Sequence, residues 1–264
     1  MNKIHNPVVN LRYWLLIFLA SIFGTNTGDY CVKLYRQMGD LANLSALGLK
    51  HAGPLPFLIV GFLLIYFLEK RDRHPHEFYF WSAIILIRTA ATNIADALAG
   101  DLNLSFTLLV GVMSVALVYL ALQWQSKREA PTLTFFVPDT TNMYWCTMLL
   151  AGVLGTVVGD EVWHLFGIAN SAAVLTVLMA LLVYFGYRNI LILTAMYWFG
   201  IVFARISGTA VGDWLAKSID KGGAGFNLTT ATIISGVVFI LVAIMWRSKN
   251  TLPPMDKQAA SVST

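Results

Sequence analysis

Four aspartates sit inside apolar stretches of this chain, each closing the same six-residue signature: Gly24-Thr25-Asn26-Thr27-Gly28-Asp29, Ala91-Thr92-Asn93-Ile94-Ala95-Asp96, Gly155-Thr156-Val157-Val158-Gly159-Asp160 and Gly208-Thr209-Ala210-Val211-Gly212-Asp213. The shared pattern is small-Thr-x-x-small-Asp. An ionised side chain at the centre of a membrane-spanning helix costs roughly 2.5–3.5 kcal/mol on insertion scales, so these carboxylates must face one another, a bundle interior or water. Each Thr precedes its Asp by four residues and shares its helix face. A carboxylate and a hydroxyl on one face form an oxygen-rich site for a hard cation such as Mg²⁺, Ca²⁺ or Mn²⁺, or a relay for protons. The amides of Asn26 and Asn93 add neutral oxygens. Arg88 and Arg205 stand eight residues before Asp96 and Asp213, where the other copies have Ser21 and Gly152. Four Asp against two Arg leave a formal deficit of two positive charges, which a bound cation or protons would supply. The expected ion site is therefore Asp29, Asp96, Asp160 and Asp213 as metal ligands, with Thr25, Thr92, Thr156, Thr209, Asn26 and Asn93. Arg88 and Arg205 are expected to tune the potential and hold the carboxylates in place.

The elements that position these residues are helices. Fifteen residues before each Asp stands a tryptophan (Trp14, Trp81, Trp145, Trp198), preceded by Tyr13, Phe80, Tyr144 and Tyr197. The small pairs Gly24/Gly28, Ala91/Ala95, Gly155/Gly159 and Gly208/Gly212 recur at i and i+4, a spacing that lets helices approach closely in lipid. At 1.5 Å per residue each Asp lies ~22 Å beyond its Trp. If the Trp marks one interface, the Asp is two-thirds or more of the way across a ~30 Å hydrocarbon core.

Composition agrees with that setting. Of 264 residues, 57% are hydrophobic and 12% charged, half the charged share of a soluble domain, which excludes a soluble globular protein and a disordered one. Eight apolar stretches are readable: 14–30, 52–68, 78–99, 104–124, 144–165, 169–187, 191–216 and 228–246. The expected fold is an all-α integral membrane protein, with eight transmembrane helices arranged as four helical-hairpin repeats. Two spans per repeat restore the chain direction, so the motif helices all run parallel. They are expected inside, around a pseudo-four-fold or nested two-fold axis, with the even helices facing lipid. Eleven loop cations on one side against five on the other place both termini in the cytoplasm by the positive-inside rule. The reading divides the chain into a first four-helix half (1–125), a cytoplasmic linker (126–141) with Pro131 and Pro138, a second half (142–249) and a disordered tail (250–264).

Weaker signals receive plainer readings. Asn43-Leu44-Ser45, Asn103-Leu104-Ser105, Asn170-Ser171 and Asn227-Leu228-Thr229 precede the even spans, and their Asn and Ser/Thr residues read as helix N-caps. Asp160-Glu161 with His164 puts a carboxylate and an imidazole one turn apart, read as a helix end at the outer surface. Lys33 and Lys217 follow Asp29 and Asp213 by four residues and read as salt-bridge partners. Cys31 and Cys146 fall at opposite faces, too far apart for a disulfide. No nucleophile elbow, zinc-protease motif, phosphate loop or dinucleotide fingerprint occurs, so no enzyme activity and no resident cofactor beyond a bound divalent cation is expected. The net charge of +4 lies in loops and is no nucleic-acid signal.

The repeated small-Thr-x-x-small-Asp after an aromatic-Trp pair resembles a family of bacterial multi-spanning inner-membrane proteins, described only as uncharacterised and membrane-anchored. The resemblance runs from Tyr13 to Trp246 and implies a multi-pass location with no transferable activity. The resulting expectation is a transporter of a small cation, divalent by preference, or a proton-coupled exporter of a small solute. The alternative is a membrane scaffold in which the same Asp and Arg residues tie helices together. Membrane lipid and the transported cation or solute are the expected partners, with a homo-oligomer left open.

Overall fold

The computed structural model describes residues 7, 9–38, 49–72, 77–125, 137, 140–187 and 194–245. The linker falls largely outside them and the tail wholly. Among the described residues the chain forms eight α-helices and no strand: α1 (Leu11–Gln37), α2 (Leu55–Arg71), α3 (Glu77–Asp96), α4 (Phe106–Gln125), α5 (Asn142–Phe166), α6 (Ile168–Tyr187), α7 (Thr194–Ala216) and α8 (Leu228–Met245). A π-helical turn, Ala97–Asp101, extends α3.

Six of the eight, all but α2 and α7, are long and apolar enough to cross a membrane. With α2 and α4 to α8 leaving large apolar side chains on the outside, this marks a multi-pass membrane protein. Helix α2 has only 17 residues, and α7 carries Arg205 and Asp213, which lower its mean hydropathy. Burial separates two classes. In the apolar windows of α1, α3 and α5, 56–61% of residues are buried, against 17–28% for α4, α6 and α8. Val112, Val115 and Val118 of α4 and Val237, Ile240 and Ile244 of α8 are exposed, as a lipid-facing surface requires.

The motif helices α1, α3, α5 and α7 pack in that order as a closed ring, α7 returning to α1. The glycines show the register. A Cβ added at Gly155 would lie 2.6 Å from Cβ of Arg205, and one at Gly152 would lie 2.8 Å from Cβ of Ala91. Gly24 meets Arg88 and Gly208 meets Ser21 more closely still. In all four cases the residue five before an Asp meets the residue eight before the next Asp around the ring. One turn later Gly28 meets Thr92, Gly159 meets Thr209 and Gly212 meets Thr25. Contacts that advance together in both chains make these neighbours parallel. One offset recurring at every interface is cyclic pseudo-symmetry, and it gives the paired glycines of α1, α5 and α7 their role: each admits a side chain of the following helix, whereas Ala91 of α3 is itself received by Gly152.

The even helices interlock the ring. Each packs most extensively on the motif helix of the next repeat: α2 on α3, α4 on α5, α6 on α7, and α8 on α1. The hairpin expectation is thus modified, since the main partner of each returning helix is not the helix it follows. Arg12 of α1 reinforces the closure, donating to Glu77 Oε2 at 2.6 Å and to the Ala243 carbonyl of α8 at 3.2 Å.

The capping expectation holds in two places. Asn227 Oδ1 accepts from the Thr230 amide at 2.9 Å at the start of α8, and Ser105 Oγ accepts from the Leu108 amide at the start of α4. Asn103 has φ 51° in the preceding turn, a left-handed conformation Asn tolerates. Asn170 lies inside α6, because α5 and α6 are joined through the single residue Gly167 at φ 83°. Asn43 lies outside the described residues.

Candidate functional site

The ring encloses an axis whose composition changes in layers. At the end where the motif helices begin, Tyr13, Phe80, Tyr144 and Tyr197 converge, one from each helix and each sixteen residues before its Asp. Tyr197 Oη lies 2.6 Å from Tyr13 Oη and 2.9 Å from Tyr144 Oη. Phe80 packs between Tyr13 and Tyr144 at ring separations of 6.3 and 6.5 Å. These four rings, all buried, close that end of the axis. The sequence carried a signal for this plug, the repeated aromatic before each Trp, but its meaning depends on hydroxyls that meet only once the ring has formed.

Above the plug lie the two arginines, both fully buried. Arg205 reaches every other motif helix. Its Nε donates to Thr156 Oγ1 of α5 at 2.9 Å, its Nη1 to the Ser21 carbonyl of α1 at 3.0 Å, and its Nη2 to Thr92 Oγ1 of α3 at 2.5 Å. Thr92 and Thr156 are oriented to accept because their own hydroxyls donate to the Arg88 and Gly152 carbonyls one turn back. Thr25 and Thr209 sit 3.4 Å apart across the α1–α7 interface. Arg88 differs. Its Nε, Nη1 and Nη2 are buried with no hydrogen-bond partner among the described residues, and it stands on the tyrosine side of the axis. Of the two expected roles, the direct hold on the carboxylates is corrected: among the described residues neither guanidinium bonds a carboxylate, because both sit two turns below the Asp layer.

The aspartates form the next layer. Asp29, Asp96, Asp160 and Asp213 all line one cavity of about 480 Å³, together with Thr25, Thr92, Thr156, Glu161, His51, His164, Trp163 and Lys217. Apolar wall is supplied by Leu104, Phe106 and Val157, and backbone by Ala99 and Gly100 of the π turn. The cavity lies at the end where the motif helices finish, with Thr25, Thr92 and Thr156, one turn before their aspartates, at its floor. Asp213 is ion-paired with Lys217 at 3.2 Å, as the i,i+4 spacing led one to expect. Lys33 instead lies over the Tyr30 ring, 6.0 Å from its centre. Asp29, Asp96 and Asp160 accept no hydrogen bond from a described residue and face the cavity.

Two further expectations are revised. Asn26 and Asn93 do not line the cavity. Both are fully buried, with side-chain amides lacking partners among the described residues. Asn93 Oδ1 points at Gly28, and the Asn26 carbonyl accepts from Thr232 of α8. They lie one residue beyond each Thr on the helix and so face a neighbouring helix rather than the axis. The four-aspartate metal site is also corrected. No group of three or more His, Cys, Asp or Glu among the described residues is placed to hold one ion. The carboxylates stand on four helices around a roomy cavity, so they share a space without meeting at a point.

Several cavity residues went unassigned to the site in the sequence. Glu161 and His164 do lie in the last turns of α5, at a helix end, and they also line the cavity, with Trp163 stacked on His164 at 3.7 Å between ring centres. His51 is held at the cavity wall by Asp101, which accepts from its backbone amide and meets its Nδ1, both at 2.8 Å. A π turn is what brings Asp101 round to it, and such turns recur at functional sites.

Fold and site together define a class: an all-helical, repeat-built, multi-pass membrane protein with an acidic cavity on its repeat axis. The family model described as Repeat of Unknown Function (DUF347) matches residues 196–251, which span α7 and α8, one motif helix and its returning partner. No curated protein and no solved structure matches the chain.

Proposed function

We propose that this protein is a membrane transporter that takes up a small cation in the acidic cavity and passes it along the repeat axis. The observation that carries this reading is that four equivalent aspartates from four helices line one cavity, and three of them find no donor among the described residues. Five carboxylates on its wall face one ammonium, so the cavity favours positive charge. Its closed end supports a binding state open to one side, with the tyrosine layer as the barrier that alternating access has to open. The positive-inside distribution supports an outward-facing open side with both termini in the cytoplasm, and the family resemblance supports a bacterial inner membrane. Proton-coupled export of a small solute uses the same carboxylates as proton carriers.

One observation favours the scaffold alternative for part of the site. Arg205 ties all three other motif helices together and is a structural bond whatever the cavity does. The aspartates make no comparable tie.

The two readings separate in proteoliposomes loaded for uptake of Mg²⁺, Mn²⁺ and methylammonium, with internal pH followed in parallel. The transport reading expects Asp160→Asn to abolish flux while the protein still elutes as a folded species in detergent. Wild-type flux in the Asn variants at all four positions would refute it. Lost expression or assembly in those variants favours the scaffold.

A further inference from the structure

The substrate class of this cavity can be argued further, resting on its reading as a cation site. A bare divalent ion demands about six to eight oxygens at 2.0–2.6 Å, which the described residues do not gather. A volume of about 480 Å³ is instead that of a small-molecule site, and its lining mixes carboxylates with Trp163, Phe106, Leu104 and Val157. The Lys217 side chain shows how such a lining treats an alkylammonium. Its Nζ lies 3.2 Å from Asp213 Oδ2 and 3.6 Å from the centre of the Trp163 ring. Ammonium held between a carboxylate and an indole face is a recurrent mode of amine recognition. The chain thus seats its own primary amine on one of four equivalent aspartates, while three more, Asp29, Asp96 and Asp160, line the same space without a donor among the described residues.

We infer that the cavity binds a primary alkyl diammonium cation, one ammonium on a single donorless carboxylate of the set Asp29, Asp96 and Asp160, the methylenes along the apolar wall, and the other ammonium on the Asp213–Trp163 seat in place of Lys217. Lys217 is then a built-in competitor, a positioning residue whose removal tightens binding.

The test is isothermal titration of the purified full-length protein in detergent at low salt with 1,4-diaminobutane dihydrochloride. Butane-1,4-diol and MgCl₂ serve as comparators, on the wild type and on Lys217→Ala, Lys217→Gln and Trp163→Leu. Each variant is checked by a cooperative thermal melt, and the conservative Trp163→Phe backs up Trp163→Leu. The inference expects binding of the diamine and not of the diol, affinity raised about tenfold in both Lys217 variants, and affinity lowered about tenfold in Trp163→Leu with partial recovery in Trp163→Phe. Weaker diamine binding in folded Lys217 variants overturns the displacement. Binding of Mg²⁺ without binding of the diamine overturns the substrate class while leaving the cation site standing. Binding of neither by folded wild-type protein overturns both.

Discussion

Gly152 and Ala91 offer a quantitative test of the ring. At three of the four interfaces a glycine of the motif receives Arg88, Arg205 or Ser21. At the fourth, the motif residue is Ala91 and the receiving position is Gly152, so bulk and space have exchanged sides. A Cβ at Gly152 would lie 2.8 Å from the Ala91 Cβ, whereas carbon pairs rest at about 3.5–4.0 Å. Helices α3 and α5 would have to part by about 1 Å. Overpacking of this kind costs about 1–3 kcal/mol, against a helix-propensity gain of up to about 1 kcal/mol for Gly→Ala. Gly152→Ala should therefore destabilise by about 1–2 kcal/mol. Adding Ala91→Gly removes the clash, so the double variant should be more stable than the sum of the singles by about 1–3 kcal/mol, within the usual range for touching residues. Gly111→Ala is the control: nothing lies within 4 Å of its added Cβ, and stability should hold or rise. The assay is thermal unfolding in detergent. A Gly152→Ala protein that melts like the wild type, or a double variant that merely sums its singles, would refute the packing register.

Three other outcomes follow from the axis. Thr92→Val should cost about 1.5–3 kcal/mol by orphaning Arg205 Nη2, and the cost should shrink in an Arg205→Met background when both are measured by the same melts. Arg88→Met should raise the melting midpoint, since it removes buried donors that lack partners among the described residues and leaves no broken bond. Tyr197→Phe should lower the midpoint by more than Tyr13→Phe, because Tyr197 holds two of the plug's hydroxyl contacts and Phe80 already shows that a ring without a hydroxyl fits the layer.

What could be read from the sequence, and what could not, follows from the range of the forces involved. The aspartates could be placed inward because hydrocarbon does not tolerate them elsewhere, and Thr four residues earlier shares their face by helix geometry alone. Parallel motif helices follow from counting spans. Radial distance is another matter. Helical phase says that Asp29 points inward, but not how far it stands from Asp160, and so a metal site was expected where there is a cavity. Asn26 and Asn93 failed for the related reason that a single residue step turns a side chain by about 100°, from the axis into an interface. The contact of α2 with α3, and of Lys217 with Trp163, depends on neighbours that no local pattern specifies. The loosest copy of the motif, Ala91 to Asp96, reads as a departure in sequence. In the structure it is explained by Gly152 on the opposing helix.

The most direct test of a one-ended acidic cavity on the repeat axis is thiol labelling in oriented membrane vesicles. Starting from Cys31→Ser/Cys146→Ser, a membrane-impermeant maleimide is applied from each side in turn to protein carrying Asp160→Cys, Thr156→Cys or Tyr144→Cys. The first two should react from the face where the motif helices end and from no other, with Thr156→Cys slower because it lies at the cavity floor. Tyr144→Cys, within the plug, should react from neither face by way of the cavity. Unreactive Asp160→Cys in folded protein, or Tyr144→Cys labelled from the same face as Asp160→Cys, would contradict the account.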